Sequence, residues 1–402
     1  MLGKKEMEQI KKVLKDGIKE EFLAGGNLLV FKNGKEILYH EDGFADRENQ
    51  LPINRNSIFR LYSMTKPITA AAVMLLLERG EIDLFDPVGK YLEGFRNQKV
   101  VKGNRLVSTE RDVTIKDLLS MTSGLVYGGE DLPGLETEHL LEEIKSRLYG
   151  DVPMSTLEAM NKLGACPLSF QPGSAWQYGT SADVLGAIIE VVSGKRFGDF
   201  LKDEIFDPLE MKDTGFWVPE ESRDRLVKTY QEKNGKLEIY TQNHLGIMQQ
   251  MDKEPAFESG GAGLVSTIDD YSHFANMLMC QGSYKKVQLL RPKTVQYLTT
   301  ATLSNRQQKH FERWETLAGH SYGNLMRVRT DCTKAGDIGS EGEYGWDGWL
   351  GAYFTNCPKD RLTLLFLMQK TDAGTNTITR KLRNIILSAC CEEDNAHYLK
   401  NF

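Results

Sequence analysis

The chain has 402 residues, of which 26% are charged and 40% hydrophobic, and its formal net charge is −6. This composition is typical of a globular protein, and the negative balance argues against nucleic acid or an anionic membrane surface as a main partner. No run of 18 apolar residues is present, which excludes a membrane-spanning helix by this criterion.

The N-terminal quarter predicts a helix, a hairpin and a second helix. Residues 4–22 place apolar side chains on one helical face and charged ones on the other, and no apolar signal-peptide core precedes them. Two short apolar segments then flank Asn33-Gly34, a strong signal for a two-residue type I′ hairpin turn. The apolar run that follows Ser63 predicts a helix that ends near Gly80.

The middle of the chain, residues 83–259, has a mainly helical pattern. Its apolar residues recur at helical spacing, and glycines stop several of the periodic segments. Helices are predicted at residues 113–121, 136–148, 155–163, 181–193 and 197–205.

The last third returns to strands. Thr267 is a candidate N-cap for a helix after a glycine-dense turn. Residues 344–354 and 361–369 predict strands, and residues 377–391 predict a closing helix. Strands near both ends of a helical middle predict an α+β fold with one sheet built from both termini.

Ser63 and Lys66 form an S-x-x-K arrangement at the start of the second predicted helix. A separation of three residues puts both side chains on one helical face. A serine hydroxyl needs a base beside it to act as a nucleophile, and a lysine can serve only when it is neutral. The apolar run around Lys66 would lower its pKa by burial, and the helix N-terminus would favour an oxyanion nearby. Ser63 is therefore a candidate nucleophile.

Two other serines compete with Ser63. Ser283 begins a second S-x-x-K, but it lies in a polar turn with no apolar helix after it, which favours a solvated loop. Ser321 is the centre of a G-x-S-x-G pattern, the nucleophile elbow of α/β-hydrolases, with His397 as a possible downstream partner. An elbow should follow a buried strand and open a helix, whereas charged residues precede Ser321 and a strand-like segment follows it.

Three further stretches have both a functional and a structural interpretation. Tyr178 could be a general base if a cation lowered its pKa from about 10, or it could simply be a buried loop tyrosine. Gly348 could let a strand edge approach a substrate carbonyl, or residues 344–354 could only pack their aromatic rings. The glycines at 260–263 lack the spacing of a phosphate-binding loop and favour a structural turn. The histidines lack metal-ligand spacing, so no metal or cofactor is expected.

Taken together, these stretches resemble the serine β-lactamase and penicillin-binding-protein superfamily, in particular its class C-like branch with the family VIII esterases. The resemblance implies a β-lactamase-like fold, an α/β sandwich in a single catalytic domain over residues 1–402. An antiparallel sheet flanked by helices would form one lobe from residues 1–82 and 260–402, and residues 83–259 would form an inserted helical lobe. The resemblance is carried by residues 59–69, 117–125, 172–186, 259–267 and 344–348.

The resemblance also implies roles for individual residues. Ser63 would be acylated, while Lys66 and Tyr178 would share its proton. Tyr178 would then protonate the leaving group. The backbone N–H groups of Ser63 and Trp349 would form the oxyanion hole, since Trp349 follows the last glycine of the third motif.

Two departures from the family pattern bear on the substrate. Thr180 stands where the tyrosine motif of the β-lactamases ends in Asn, and Trp346-Asp347-Gly348 stands where K-T-G is usual. These four residues are the candidate substrate-binding residues. Replacing the lysine by an indole removes an attraction for a substrate carboxylate, and Asp347 would add repulsion. An uncharged ester is therefore favoured.

The sequence thus favours a cytoplasmic serine carboxylesterase that forms an acyl-enzyme with a small uncharged ester or amide. Six scattered cysteines without a C-x-x-C pair fit reduced thiols in that compartment. The alternatives are a β-lactamase, a D,D-peptidase or D-amino-acid amidase, and an acyltransferase. A binding protein that merely keeps the pocket is a further alternative, although such a protein has no need of all three candidate catalytic side chains.

Overall fold

The computed structural model describes residues 2–390, which form helices around one large sheet. The helices are α1 (Lys4–Lys19), α2 (Thr65–Glu78), α3 (Ile115–Leu119), α4 (Leu132–Arg147), α5 (Thr156–Ala165), α6 (Ser181–Ser193), α7 (Phe197–Leu201), α8 (Ile268–Met279), α9 (Pro292–Leu298), α10 (Asn305–Phe311) and α11 (Thr377–Cys390).

The strands are short in the middle of the chain and longer toward its two ends. They are β1 (Gly25–Lys32), β2 (Lys35–Asp46), β3 (Leu51–Pro52), β4 (Phe59–Arg60), β5 (Lys99–Lys102), β6 (Arg105–Ser108), β7 (Tyr230–Lys233), β8 (Lys236–Ile239), β9 (Val265–Ser266), β10 (Ser283–Tyr284), β11 (Val287–Gln288), β12 (His320–Gly323), β13 (Met326–Arg329), β14 (Tyr344–Asp347), β15 (Tyr353–Cys357) and β16 (Leu362–Met368).

One eight-stranded antiparallel sheet joins the two ends of the chain, in the order β12-β13-β14-β15-β16-β1-β2-β3. Strand β1 pairs with β16 from Gly26 opposite Met368 to Lys32 opposite Leu362, and β1 pairs with β2 on its other edge. The predicted α+β fold, with an antiparallel sheet built from both termini, is therefore confirmed. Residues 83–259 contribute no strand to this sheet. The boundaries of the two lobes stay a prediction.

The sheet is covered on both faces. Leu28 and Val30 of β1 pack with α1 and α11, whereas Leu29 between them joins the main core on the opposite face. This alternation follows from the two-residue period of a strand. Helix α8 also contacts β1, β15 and β16, and α2 contacts β14. The helix that carries Lys66 is thus packed near the strand that carries Trp346.

Two local predictions are confirmed in detail. Asn33 and Gly34 have φ values of 54° and 71°, the left-handed conformations that a type I′ turn needs at both positions. Helix α2 is buried from Thr65 to Leu76, as expected for a helix that is apolar on nearly every side. It ends before Gly80, whose φ is 69°.

Other segments differ from the prediction. Residues 344–354 are not one strand, because β14 ends at Asp347 and a turn with Gly351 at φ 88° leads into β15. Helix α1 ends at Lys19, three residues before the predicted end. The hairpins β5–β6 and β7–β8 in the helical middle were not predicted. The predicted helix end at Cys391 lies outside the described residues.

No helix within residues 2–390 is long and apolar enough to cross a lipid bilayer. No group of three or more His, Cys, Asp and Glu side chains in the same range could hold a metal ion. The cysteines described here are free thiols.

Candidate active site

Ser63 lies in a single 3₁₀ turn, Tyr62–Met64, which runs directly into α2. Tyr62 has φ 45°, a left-handed conformation that is strained for a residue with a side chain. Packing holds it there, since Tyr62 is 1% exposed and its ring lies 5.0 Å from that of Trp349. The carbonyl of Met64 also accepts a 2.9 Å hydrogen bond from the Tyr271 hydroxyl. The nucleophile segment is therefore fixed from both sides.

Lys66 is fully buried, with 0% exposure, and its amine faces Ser63. The Nζ atom lies 3.1 Å from Ser63 Oγ, 2.9 Å from the Tyr127 hydroxyl oxygen and 2.8 Å from the Gly261 carbonyl oxygen. Burial lowers the pKa of Lys66 to about 7, although the charge of Asp183 acts in the opposite direction. A large fraction of this lysine is therefore neutral near pH 7 and can accept a proton.

Tyr127 is a site residue that the sequence argument missed. It follows the turn after α3, and its hydroxyl contacts Lys66. A Cβ on Gly261 would lie 2.9 Å from the Tyr127 hydroxyl and 2.9 Å from Asp183 Oδ2. A side chain at this position would therefore displace the Tyr127 hydroxyl or the Asp183 carboxylate. The signal in the sequence was a tyrosine two residues beyond the matched stretch 117–125, directly before Gly128.

Asp183 in α6 is the second residue that was missed. It is buried, and its Oδ1 accepts hydrogen bonds from the Ser259 hydroxyl (2.5 Å) and the Gly261 N–H (3.0 Å). These bonds hold the glycine-dense turn so that the Gly261 carbonyl reaches Lys66. Burial raises the pKa of Asp183, while the nearby Lys66 lowers it. Asp183 thus acts on the lysine both through the turn and through its charge.

Tyr178 stands on the other side of Lys66. Its hydroxyl accepts a 3.0 Å hydrogen bond from Trp346 Nε1, and Lys66 Nζ lies 4.6 Å from the centroid of its ring. Burial raises the pKa of Tyr178 above its ordinary value of 10, and the Ser63 and Trp346 side chains oppose this only in part. The lowered pKa that a tyrosinate base requires is therefore not found. The raised pKa favours the protonated phenol, so a role for Tyr178 as proton donor stays a prediction.

The end of β14 lies against the nucleophile segment because residue 348 is glycine. A Cβ on Gly348 would lie 2.2 Å from the Leu61 carbonyl oxygen, two residues before Ser63. The next residue, Trp349, donates a 2.7 Å hydrogen bond from Nε1 to Asp372 Oδ1, and its ring stacks on His244 at 4.2 Å. These two contacts fix the Trp349 side chain and thereby help to position the Trp349 backbone.

Asp347 does not present a free charge to the site. Its Oδ1 lies 3.4 Å from Arg327 Nη1, and the Arg327 side chain is itself buried. Burial raises the pKa of Asp347, while the positive charge of Arg327 lowers it. The expectation that Asp347 simply repels an anionic substrate is corrected, because a buried guanidinium compensates this carboxylate.

Thr180 lies at the N-cap of α6, with its hydroxyl donating to the Val126 carbonyl at 3.3 Å. Its side chain is buried, and it is not among the residues that line the cavity in front of Ser63. A direct contact between Thr180 and a substrate stays a prediction.

The competing serines lie elsewhere. Ser321 is in the middle of β12, opposite Val328 of β13, and it is 6% exposed. It does not stand on a turn between a strand and a helix, so the nucleophile-elbow hypothesis is wrong. Its possible partner His397 lies outside the described residues. Ser283 lies in the small hairpin β10–β11 and is half-buried, away from Ser63.

A cavity of about 380 Å³ opens in front of Ser63. Trp346 and Trp349 line it, as does Trp314, which the sequence argument did not single out. By contrast, Trp217 lines a separate cavity of about 440 Å³. The residues around the Ser63 cavity are Ser63, Tyr178, Trp314, Thr316, Leu317, Trp346, Asp347, Gly348, Trp349, Asp372, Ala373, Gly374 and Thr375.

Comparison with known proteins gives relatives over nearly the whole chain. The family model described as Beta-lactamase matches residues 10–386. Esterase EstB from Burkholderia gladioli is 30% identical over 389 residues, which are 93% of each chain. The solved structure of EstCE1, described as a hydrolase with promiscuous acyltransferase activity, covers 95% of this chain and 98% of its own, with a TM-score of 0.81 and 24% identity. Simvastatin synthase (LovD) from Aspergillus terreus covers 96% of this chain and 98% of its own, with a TM-score of 0.79 and 21% identity.

Proposed function

We propose that this chain, which belongs to the β-lactamase family, is a serine hydrolase. Ser63 carries the acyl group, and the enzyme acts as a carboxylesterase on small uncharged esters. The observation that carries this proposal is the buried Lys66, whose pKa is about 7 and whose Nζ lies 3.1 Å from Ser63 Oγ. A neutral amine at this distance is a general base within reach of the hydroxyl proton.

The contacts of Lys66 direct its lone pair at the nucleophile. A neutral amine has two N–H bonds and one lone pair. The Gly261 carbonyl can only accept, and the Tyr127 hydroxyl oxygen accepts the second N–H. The lone pair is then left to face Ser63 Oγ. Tyr127 and Gly261 are therefore positioning residues for the base.

In acylation, Ser63 Oγ forms a bond to the ester carbonyl carbon, and its proton passes to Lys66 Nζ. The N–H groups of Ser63 and Trp349 stabilise the oxyanion of the tetrahedral intermediate. The bond from the carbonyl carbon to the alcohol oxygen then breaks. Tyr178 donates its proton to that oxygen and regains one from the Lys66 ammonium. Water reverses the sequence and releases the carboxylic acid.

The charges around the cavity favour an ester over a β-lactam or a D-alanyl peptide, both of which carry a carboxylate. Among the described residues that line the cavity, none is Lys, Arg or His, so no cationic lining residue attracts a substrate carboxylate. The Trp346 indole occupies the position where the family pattern has lysine, and its N–H is already bonded to Tyr178. The name of one relative that is 30% identical over 93% of each chain, Esterase EstB, supports the same choice.

The test is hydrolysis of p-nitrophenyl acetate and butyrate by the wild type, Ser63→Ala and Ser321→Ala, with nitrocefin measured alongside. Loss of a nucleophile costs several orders of magnitude in turnover. We expect Ser63→Ala to be inactive, Ser321→Ala to stay active and ester turnover to exceed nitrocefin turnover. An active Ser63→Ala would refute the mechanism. A preference for nitrocefin would instead favour the alternative, a β-lactamase or D,D-peptidase.

The remaining inferences from the sequence stay proposals. They are the cytoplasmic location, which the scattered cysteines suggested, and a small-molecule ester or amide as the partner. Acyl transfer to an alcohol in place of water is a further candidate activity. It uses the same acyl-enzyme and needs only a place for the acceptor.

A further inference from the structure

Trp314 stands at the mouth of the Ser63 cavity. It lies between α10 and β12, just before a 3₁₀ turn at Glu315–Leu317. Its ring meets Tyr178 nearly edge-on at 5.4 Å and Trp346 at 6.2 Å. Trp314 is nevertheless 38% exposed, which is high for a side chain of this size. The described structure therefore leaves an indole surface open to a molecule that enters the cavity.

The proposed mechanism determines which part of the substrate contacts the exposed Trp314 indole. The carbonyl oxygen faces the backbone N–H groups of Ser63 and Trp349. The alcohol oxygen must come within hydrogen-bond distance of the Tyr178 hydroxyl, which protonates it. The alcohol part then extends from Tyr178 into the space that Trp314 borders. The acyl chain is a different substituent of the same carbonyl carbon, so it extends away from the alcohol part.

We propose that Trp314 forms the wall of an alcohol subsite and gives the enzyme a preference for esters of aromatic alcohols over esters of small aliphatic alcohols. This inference rests on the proposed function. An aromatic ring in the subsite would pack against the indole in the offset or edge-on arrangements that aromatic pairs favour. None of the described residues that line the cavity is Lys, Arg or His, so an anionic alcohol is disfavoured.

The same subsite would hold an acceptor alcohol, because deacylation by an alcohol is acylation in reverse. The acceptor oxygen bonds to the acyl carbon as the bond from that carbon to Ser63 Oγ breaks. Tyr178 takes the acceptor's proton and passes its own proton to Lys66, and the Lys66 ammonium then donates a proton to Ser63 Oγ. Trp314 would thus affect both which ester reacts and how often an alcohol replaces water.

The test compares benzyl butyrate with ethyl butyrate, which share an acyl group and hence the same acyl-enzyme. We expect Trp314→Ala to lower kcat/KM about tenfold for the benzyl ester and less than about twofold for the ethyl ester. Trp314→Phe keeps an aromatic wall and should retain most of the benzyl preference. The matched control is Trp217→Ala, since Trp217 lines the separate cavity and should leave both values unchanged.

A second readout is the ratio of benzyl butyrate to butyric acid that forms when benzyl alcohol is added during turnover of p-nitrophenyl butyrate. Trp314→Ala should lower this ratio, and Trp217→Ala should leave it unchanged. An unchanged benzyl-to-ethyl preference in Trp314→Ala would overturn the subsite, and so would equal losses on both esters. Ser63→Ala in the same assays tests the proposed function separately. If Ser63→Ala is inactive while Trp314→Ala has no selective effect, the alcohol subsite is refuted and the proposed function is not.

Discussion

The pH dependence of acylation follows from the burial of one amine. An exposed lysine with a pKa of about 10.4 would be neutral in only about one molecule in 2,500 at pH 7. Burial lowers the pKa of Lys66 to about 7, so about half of the molecules carry a neutral base at that pH. Burial thus raises the population of the reactive form by about a thousandfold.

From this value the profile can be calculated. The neutral fraction is about 9% at pH 6 and about 91% at pH 8 for a group that titrates near 7. We therefore expect kcat/KM for ethyl butyrate to rise about tenfold between pH 6 and pH 8 and then to level off. This rising part of the profile, the acid limb, reports the pKa of a group in the free enzyme, since kcat/KM depends on the ionisation of groups before substrate binds.

A variant at Asp183 assigns this limb to Lys66. The charge of Asp183 raises the pKa of Lys66, so Asp183→Asn should move the acid limb to lower pH. The amide oxygen of Asn can still accept the hydrogen bonds from Ser259 and Gly261 that the Oδ1 atom accepts now. Asp270→Asn is the matched control. Asp270 is also a buried helix carboxylate, bonded to the Asp213 N–H at 2.7 Å, but it does not contact Lys66.

The assay is initial-rate hydrolysis of ethyl butyrate from pH 5 to 9 for the wild type and both variants. A flat profile across pH 6–8 would refute the assignment of a base that titrates near 7. A limb that Asp183→Asn leaves in place, or that Asp270→Asn moves equally, would show that the titrating group is not Lys66.

Three further predictions concern the two tyrosines and one buried carboxyl. Tyr178→Phe should lower kcat/KM by about 10²–10⁴-fold for ethyl butyrate and far less for p-nitrophenyl butyrate, whose leaving group needs no proton; equal losses would contradict the acid role. Tyr127→Phe removes an acceptor of Lys66 and should lower kcat about tenfold at unchanged KM, whereas a change in KM alone would contradict a positioning role. Burial raises the pKa of Glu258 to about 7, so the folded state retains this proton longer than the unfolded chain and wild-type stability should fall as pH rises from about 4.5 to 7. In urea unfolding, Glu258→Gln should lose that part of the pH dependence, and an unchanged difference between pH 5 and pH 7 would contradict the shift.

Local signals made much of the fold predictable. Asn33-Gly34 defines its own turn because few residue pairs adopt two left-handed conformations in succession. Ser63 and Lys66 are close because three residues separate them, a spacing that needs no knowledge of the rest of the chain. The boundary between β14 and β15 was missed because its aromatic residues favour a strand on both sides of the turn.

Contacts between distant segments could not be predicted. Tyr127 lies 61 residues after Lys66 in sequence, and only the packing of the turn after α3 brings the two together. Arg327 compensates Asp347 from a neighbouring strand, which removes the repulsion of anionic substrates expected from that carboxylate. Trp314 lies in a charged segment with no periodicity, so its place at the cavity mouth depends on the path of the chain between α10 and β12.

The central claim is that Ser63 carries the acyl group, and direct identification of the modified residue tests it best. The enzyme would be treated with a fluorophosphonate probe, digested and analysed by mass spectrometry, with Ser63→Ala as the control. We predict a single label on the peptide that contains Ser63 and none in the variant. Label on the peptide that contains Ser321, or an active esterase that takes up no label, would contradict the account.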